Sequence, residues 1–230
     1  MRTAIVAAMQ EELAAVLATL PHEGRQVVGG REFWVGALHG HDVVVVLSRI
    51  GKVAAATTAA ILLERFRVDE IVFTGVAGGL APGVDVGHVV VADRFLQHDL
   101  DASPIFPRFE VPLYGTSIFP CDTALTARLE QAARSALPGV HLHRGLVVSG
   151  DRFVATTAES RALQAALPAA LAVEMEGAAI AQVCHDYGVP FAAVRTVSDR
   201  ADDMAHIDFA TFLREVASRH SAAIVRALLA

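Results

Sequence analysis

The chain has 230 residues, 53% of them hydrophobic, and 25 acidic against 19 basic side chains give a net charge of −6. No apolar run could span a bilayer, since the longest, such as 43–47, are strand-sized, and the N-terminus enters a strand pattern without the features of a signal peptide. Charges are scattered and aromatics do not alternate with Arg or Lys, which excludes a nucleic-acid face and leaves a small molecule as the expected partner.

Strand-like and helix-like patterns alternate along the chain. Residues 3–8 predict a short apolar strand and 11–20 a helix. Residues 32–38 and 42–47 predict strands separated by a His-Gly turn. Residues 52–66 predict a helix rich in Ala and Leu, and 70–73 a buried strand running into Thr74-Gly75-Val76-Ala77-Gly78-Gly79. A further strand is expected at 88–95. The stretch 103–120 breaks the rhythm: Pro104, Pro107, Pro112 and Pro120 forbid a helix or a central strand. Ile105, Phe106, Phe109 and Phe119 lie between them, so this is either a loop packed on its own core or one with a functional or interface role. A helix follows at 122–137, capped by Asp122 or Thr123. Then come a strand at 142–148, a helix at 159–167, a short strand at 171–173, and a helix at 177–187 ended by Gly188. The last strand is 191–197, and 209–229 reads as a closing amphipathic helix. This order predicts a single-domain three-layer αβα fold over residues 1–230, with a central, mostly parallel twisted sheet. The Ala- and Val-rich composition suits buried parallel strands. Cys121 and Cys184 match neither a metal motif nor a disulfide scaffold, which suits a reducing cytoplasm.

In such folds ligands collect at the carboxyl ends of the strands. The first strand ends in Met9-Gln10-Glu11-Glu12, where acidic residues also suit a helix N-terminus; that account suffices for Glu11, and for Glu12 a functional role competes with it. Glycines 75, 78 and 79 let backbone approach a ligand, although a tight turn explains them as well. Ser149-Gly150-Asp151-Arg152-Phe153 places an aromatic at a strand end. Glu174-Met175-Glu176-Gly177 sets two carboxylates beside an apolar strand, which is costly unless they find partners. Alternation puts Arg195, Val197 and Asp199 on one strand face. Arg195, inside an apolar strand, needs a carboxylate, and Glu176 is the expected one; a structural salt bridge is the plain alternative.

In chain order, Ala7-Ala8-Met9-Gln10-Glu11-Glu12, Ile50-Gly51-Lys52-Val53, residues 74–79, Ser149-Gly150-Asp151-Arg152-Phe153, Val173-Glu174-Met175-Glu176 and Ser198-Asp199 resemble the bacterial 5′-methylthioadenosine/S-adenosylhomocysteine nucleosidases of the purine nucleoside phosphorylase superfamily. The resemblance covers nearly the whole chain. It implies hydrolysis of the N-glycosidic bond of an adenine nucleoside, without cofactor or metal, in the cytoplasm. Asp199 would protonate the purine at N7, and Glu12 would take a proton from the attacking water. Glu176 would bind the ribose hydroxyls above Met175, with Arg195 holding Glu176. Phe153 would stack on adenine and the Val154 backbone would read its edge. Val76, Ala77, Gly78 and Ser198 would line the same site. Met9, Ile50 and Phe209 would line the 5′-thio pocket, and in a homodimer residues 102–113 would close the neighbouring site.

One carboxyl must be protonated to neutralise the departing purine and another ionised to activate water, as in inverting glycoside hydrolysis. Asp199 is therefore expected to be the more desolvated of the two. Two positions depart from the family. Val76 stands where Ser is common, removing a hydroxyl that would help hold the water. Arg49 stands where Gly is frequent, and a cation there would favour a charged 5′ group. The competing readings are a futalosine hydrolase, an AMP nucleosidase, a phosphorylase, and a non-catalytic nucleoside-binding protein. Phosphorolysis would need an anion site, for which only Arg31, Arg49 and Arg94 are candidates. Retention of Glu12, Glu176 and Asp199 together speaks against a mere binder.

Overall fold

The expected alternation of strands and helices forms throughout a computed structural model that describes residues 1–20, 24–202, 212 and 216–230. Its elements are β1 (Arg2–Ala7), α1 (Gln10–Leu17), β2 (Gly24–Val28), β3 (Arg31–Leu38), β4 (His41–Leu47), α2 (Lys52–Phe66), β5 (Glu70–Gly79), β6 (Val89–Gln97), β7 (Ile118–Pro120), α3 (Thr123–Ala136), β8 (Leu142–Ser149), α4 (Thr157–Ala166), β9 (Ala170–Glu174), α5 (Gly177–Tyr187), β10 (Phe191–Asp199) and α6 (Ser218–Leu228). The predicted helices at 52–66 and 177–187 have these bounds, and Gly188 ends the second in the left-handed conformation. Asp122 is the cap of α3, its side chain accepting from the Leu125 amide. Two strands went unpredicted. β2 is an exposed hairpin partner of β3 with little hydrophobic signal, and β7 pairs only with β6 at an edge, where prolines are tolerated.

Among the described residues the strands form one 10-stranded sheet in the order β10-β6-β8-β9-β5-β1-β4-β3-β2, with β7 on β6 and a further pairing of β10 with β5. That last pairing closes β5, β9, β8, β6 and β10 into a ring, while β1, β4, β3 and β2 extend as an open arm. Pairings β1–β4, β1–β5, β5–β10, β6–β8 and β8–β9 are parallel. Antiparallel ones lie at the β2–β3–β4 rim, at β6–β7, and where the ring closes through β5–β9 and β6–β10.

Helices cover both faces. Alternate strand residues such as Ile71, Phe73, Ala193 and Val197 join Leu62, Ile180 and Cys184 of α2 and α5 in one core. Their neighbours Val72, Ala192 and Val194 join Leu13, Leu129 and Ile224 of α1, α3 and α6 in the other. Burying both faces of one strand set is what the near-continuous Val and Ala runs encode.

β5 positions the site. Its first part pairs with β1 as far as Phe73, and its end pairs with β9 from Gly78. Between them β1 and β9 diverge, and residues 74–77 border a split in the sheet at the carboxyl ends of parallel strands, where such sheets bind ligands.

Candidate active site

The split opens into a cavity of about 430 Å³, lined by Met9, Glu12, Ile50, Val76, Ala77, Gly78, Phe153, Met175, Glu176, Ser198 and Asp199, together with Ala8, Val173 and Glu174. Eleven sequence-predicted residues, contributed by segments far apart in the chain, therefore meet around one space. Val154 is buried and lines a small adjoining cavity with Gly78, Phe153 and Asp199. Arg195 is buried below the cavity rather than lining it. Phe209 lies outside the described residues.

Glu12 occupies the third position of α1 and turns back on its own helix start. Its Oε2 accepts from the Met9 amide at 3.0 Å and the Ala8 amide at 3.2 Å. The capping role and the functional one thus coexist in this side chain. Its Oε1 is buried and, among the described residues, has no hydrogen-bond partner. Burial pushes the Glu12 carboxyl up to about 7, against the opposing pull of the Arg195 charge and the backbone amides. Such a group is ionised often enough near neutrality to accept a proton, yet basic enough to keep it.

Gly75 makes room for this arrangement. A Cβ there would sit 2.6 Å from Arg195 Nη1 and 2.9 Å from Glu12 Oε1. Three residues on, a Cβ at Gly78 would sit 3.0 Å from Asp199 Oδ1. Glu12 therefore approaches β5 at Gly75 and Asp199 at Gly78. Asp199 is buried, with Oδ2 at 2.8 Å from the Ser198 hydroxyl and Oδ1 accepting from the Ala201 amide at 2.8 Å.

Three expectations need correction. First, Arg195, Val197 and Asp199 do not continue one alternation. Val197 pairs with Ala77 but Asp199 with Gly78, so a bulge at the strand end re-aims the carboxylate. Second, Arg195 pairs with Glu174, not Glu176: its Nη2 lies 2.6 Å from Glu174 Oε2. Glu174 is the last residue of β9 and lies on the strand face that carries Ala172, so it meets the arginine across the ring. Glu176 lies past the strand, at the cap position of α5, and its Oε1 instead accepts from the Gly51 amide at 2.8 Å. Third, burial does not separate the two catalytic candidates, since Glu12 is 0% exposed and Asp199 1%.

Glu174 was missed as a site residue, although its signal was the costly carboxylate pair at 174 and 176. Its oxygens accept from the Ser149 hydroxyl, the Glu176 and Gly177 amides and Arg195. Arg195 also stacks over Phe73, with Cζ 3.5 Å from the ring centre. Burial first, and then the neighbouring Glu174 charge, push the Glu176 carboxyl up to about 8.

This arrangement has known counterparts. The model of the phosphorylase superfamily matches residues 2–230. The 5′-methylthioadenosine/S-adenosylhomocysteine nucleosidase of Geobacillus thermodenitrificans is 38% identical over 230 residues, covering 100% of this chain and 96% of that one. The chain belongs to this nucleosidase family within the phosphorylase superfamily. The family's Neisseria meningitidis member, solved in complex with methylthio-immucillin-A, is 36% identical with a TM-score of 0.94, covering 99% of this chain and 97% of that one. Futalosine hydrolase of Helicobacter pylori is 31% identical with a TM-score of 0.92, also over 99% and 97%. Family membership therefore settles the hydrolase class more sharply than it settles the group at the nucleoside 5′ position.

Proposed function

We propose that the chain hydrolyses the N-glycosidic bond of 5′-thio-substituted adenine nucleosides, of the methylthioadenosine and S-adenosylhomocysteine type, releasing adenine and a 5-thio-substituted ribose. The observation that carries this reading is that Glu12 and Asp199, from separate elements, line a single cavity of about 430 Å³. A cavity of that size has room for a sugar and a water, around which inversion-type glycoside hydrolysis requires an acid and a base.

In this reading Asp199 donates a proton to purine N7 as the C1′–N9 bond breaks and its electron pair moves into the base. The sugar becomes oxocarbenium-like and is attacked at C1′ by water, whose proton passes to Glu12. Glu12 lines the cavity, and among the described residues its Oε1 has no hydrogen-bond partner of normal geometry. Glu176, braced by the Gly51 amide, takes the ribose hydroxyls, with Met175 under the ring. Phe153, 43% exposed at the cavity wall, offers a face for adenine, and Val154 lies behind it. Arg195 supports the site through Glu174 and its nearby charge draws Glu12 toward ionisation.

A second copy of the chain completes the site in the same reading. Ile105 and Leu113 are 82% and 91% exposed, so the proline-rich loop does not bury these residues on its own core. Ile50 and Val53 beside the cavity mouth are exposed too, and apolar surface of this kind is usual at an interface.

The test is to incubate purified protein with methylthioadenosine, S-adenosylhomocysteine and other purine nucleosides, with and without phosphate, and to measure free base. Phosphate-independent adenine release is expected. Strict phosphate dependence, or no release from any adenine nucleoside, would refute the reading.

A further inference from the structure

A second cavity, of about 190 Å³, lies beside the first and is lined by Gln10, Leu13, Leu17, Gly30, Arg31, Glu32, Trp34, Leu47 and Arg49. It adjoins the active-site cavity at two places along the chain. Met9 lines the first and Gln10 the second, while Ile50 lines the first and Arg49 the second. A single peptide step of about 3.8 Å separates the two linings at each place. The lining of the second cavity combines apolar Leu13, Leu17, Trp34 and Leu47 with polar Gln10, Glu32 and two arginines.

Backbone carbonyls hold these two arginines. Arg31 donates to the carbonyls of Gly29 and Ala54, and Arg49 Nη2 to the carbonyl of Gly30. Among the described residues neither forms an ion pair, and Arg31 Nε is buried without a hydrogen-bond partner. Partial burial and the Arg49 charge both pull Arg31 below its ordinary pKa. The nearest rim carboxylate, Glu32, is engaged by Arg25 at 3.0 Å. Arg49 adopts a left-handed backbone with φ of 69°, a conformation uncommon outside glycine and often retained at ligand sites.

We propose that Arg31 and Arg49 form an anion subsite for a carboxylate at the far end of the substrate's 5′ substituent, so that carboxylate-bearing 5′-thioadenosines are preferred over neutral ones. This rests on the nucleosidase reading above. In that reading Met9 and Ile50 line the 5′-thio pocket, so their chain neighbours Gln10 and Arg49 are the next residues beyond it, and Leu13, Leu17, Trp34 and Leu47 supply apolar lining that suits methylenes. Paired guanidiniums suit a carboxylate because each supplies planar, charge-assisted donors.

The experiment compares kcat/KM for S-adenosylhomocysteine, its carboxyl-amidated analogue and methylthioadenosine. Adenine release from methylthioadenosine by the unaltered protein tests the nucleosidase reading independently of the subsite. With the unaltered protein, amidation is expected to lower kcat/KM by roughly tenfold or more. Arg49→Gly suits the backbone at that position and should cut the ratio of S-adenosylhomocysteine to methylthioadenosine by a similar factor. Arg49→Lys should restore part of it, and raised salt should narrow the ratio in the unaltered protein. Amidation without effect, or a ratio unchanged by Arg49→Gly, would overturn the proposal while leaving hydrolysis itself intact.

Discussion

Glu12 and Glu174 are buried carboxylates that share the influence of Arg195, and their surroundings are opposite in kind. Glu174 ends β9 with both oxygens engaged by a hydroxyl, two amides and the guanidinium. Glu12, in the first turn of α1, has one oxygen satisfied by two amides and the other buried without a hydrogen-bond partner among the described residues. A fully bonded buried carboxylate is architecture. A buried carboxylate with a spare oxygen in a cavity carries free energy that a proton or a bound water can release. The two residues answer to one cation, so substituting each in turn separates support from chemistry.

The largest effect should come from removing the proton carriers. Glu12→Gln and Asp199→Asn are each expected to lower kcat about 10³-fold, measured as adenine release, while the folded variants still bind an adenine nucleoside by calorimetry. Turnover near that of the unaltered protein for either variant would take that residue out of the chemistry.

Glu174→Gln should act through stability instead. It leaves Arg195 buried without its counter-charge, a loss of roughly 3–5 kcal/mol in denaturant unfolding. Glu12→Gln should have the reverse sign. The native carboxyl is raised to about 7 from 4.5, so native Glu12 weakens the fold increasingly as pH climbs from 4.5 to 7, by on the order of 3 kcal/mol above 7. Thermal unfolding should therefore show Glu12→Gln more stable than the unaltered protein at pH 8, with the advantage vanishing near pH 4. Equal destabilisation by both substitutions would erase the contrast.

The same raised value predicts the acid side of the rate profile. As a base Glu12 works ionised, so kcat/KM should fall close to tenfold per pH unit below about 7. A flat profile down to pH 5 would place the titrating base elsewhere. The smallest effect is expected at Val76, which lines the cavity and whose backbone lies near Glu12. Val76→Ser would supply a hydroxyl for the water, changing kcat/KM only a few-fold and leaving the pH profile in place.

Much of this was legible in the residues alone. The alternation of buried strands with Ala- and Leu-rich helices determined a layered α/β fold, because period 2 and period 3.6 leave separate hydrophobic imprints. The carboxylates at 12, 174, 176 and 199 stood out because each follows an apolar strand. Several things belonged to the tertiary structure only. Closure of β10 onto β5 rests on backbone pairing, which leaves little trace in composition. The bulge that turns Asp199 toward Gly78, and the choice of Glu174 over Glu176 by Arg195, depend on register across strands distant in sequence. Likewise, the two arginines at 31 and 49 are separated by a β-hairpin, and only folding sets them in the lining of one cavity. Side-chain type is a local property, whereas burial, partner and pKa are set by whatever the fold brings alongside.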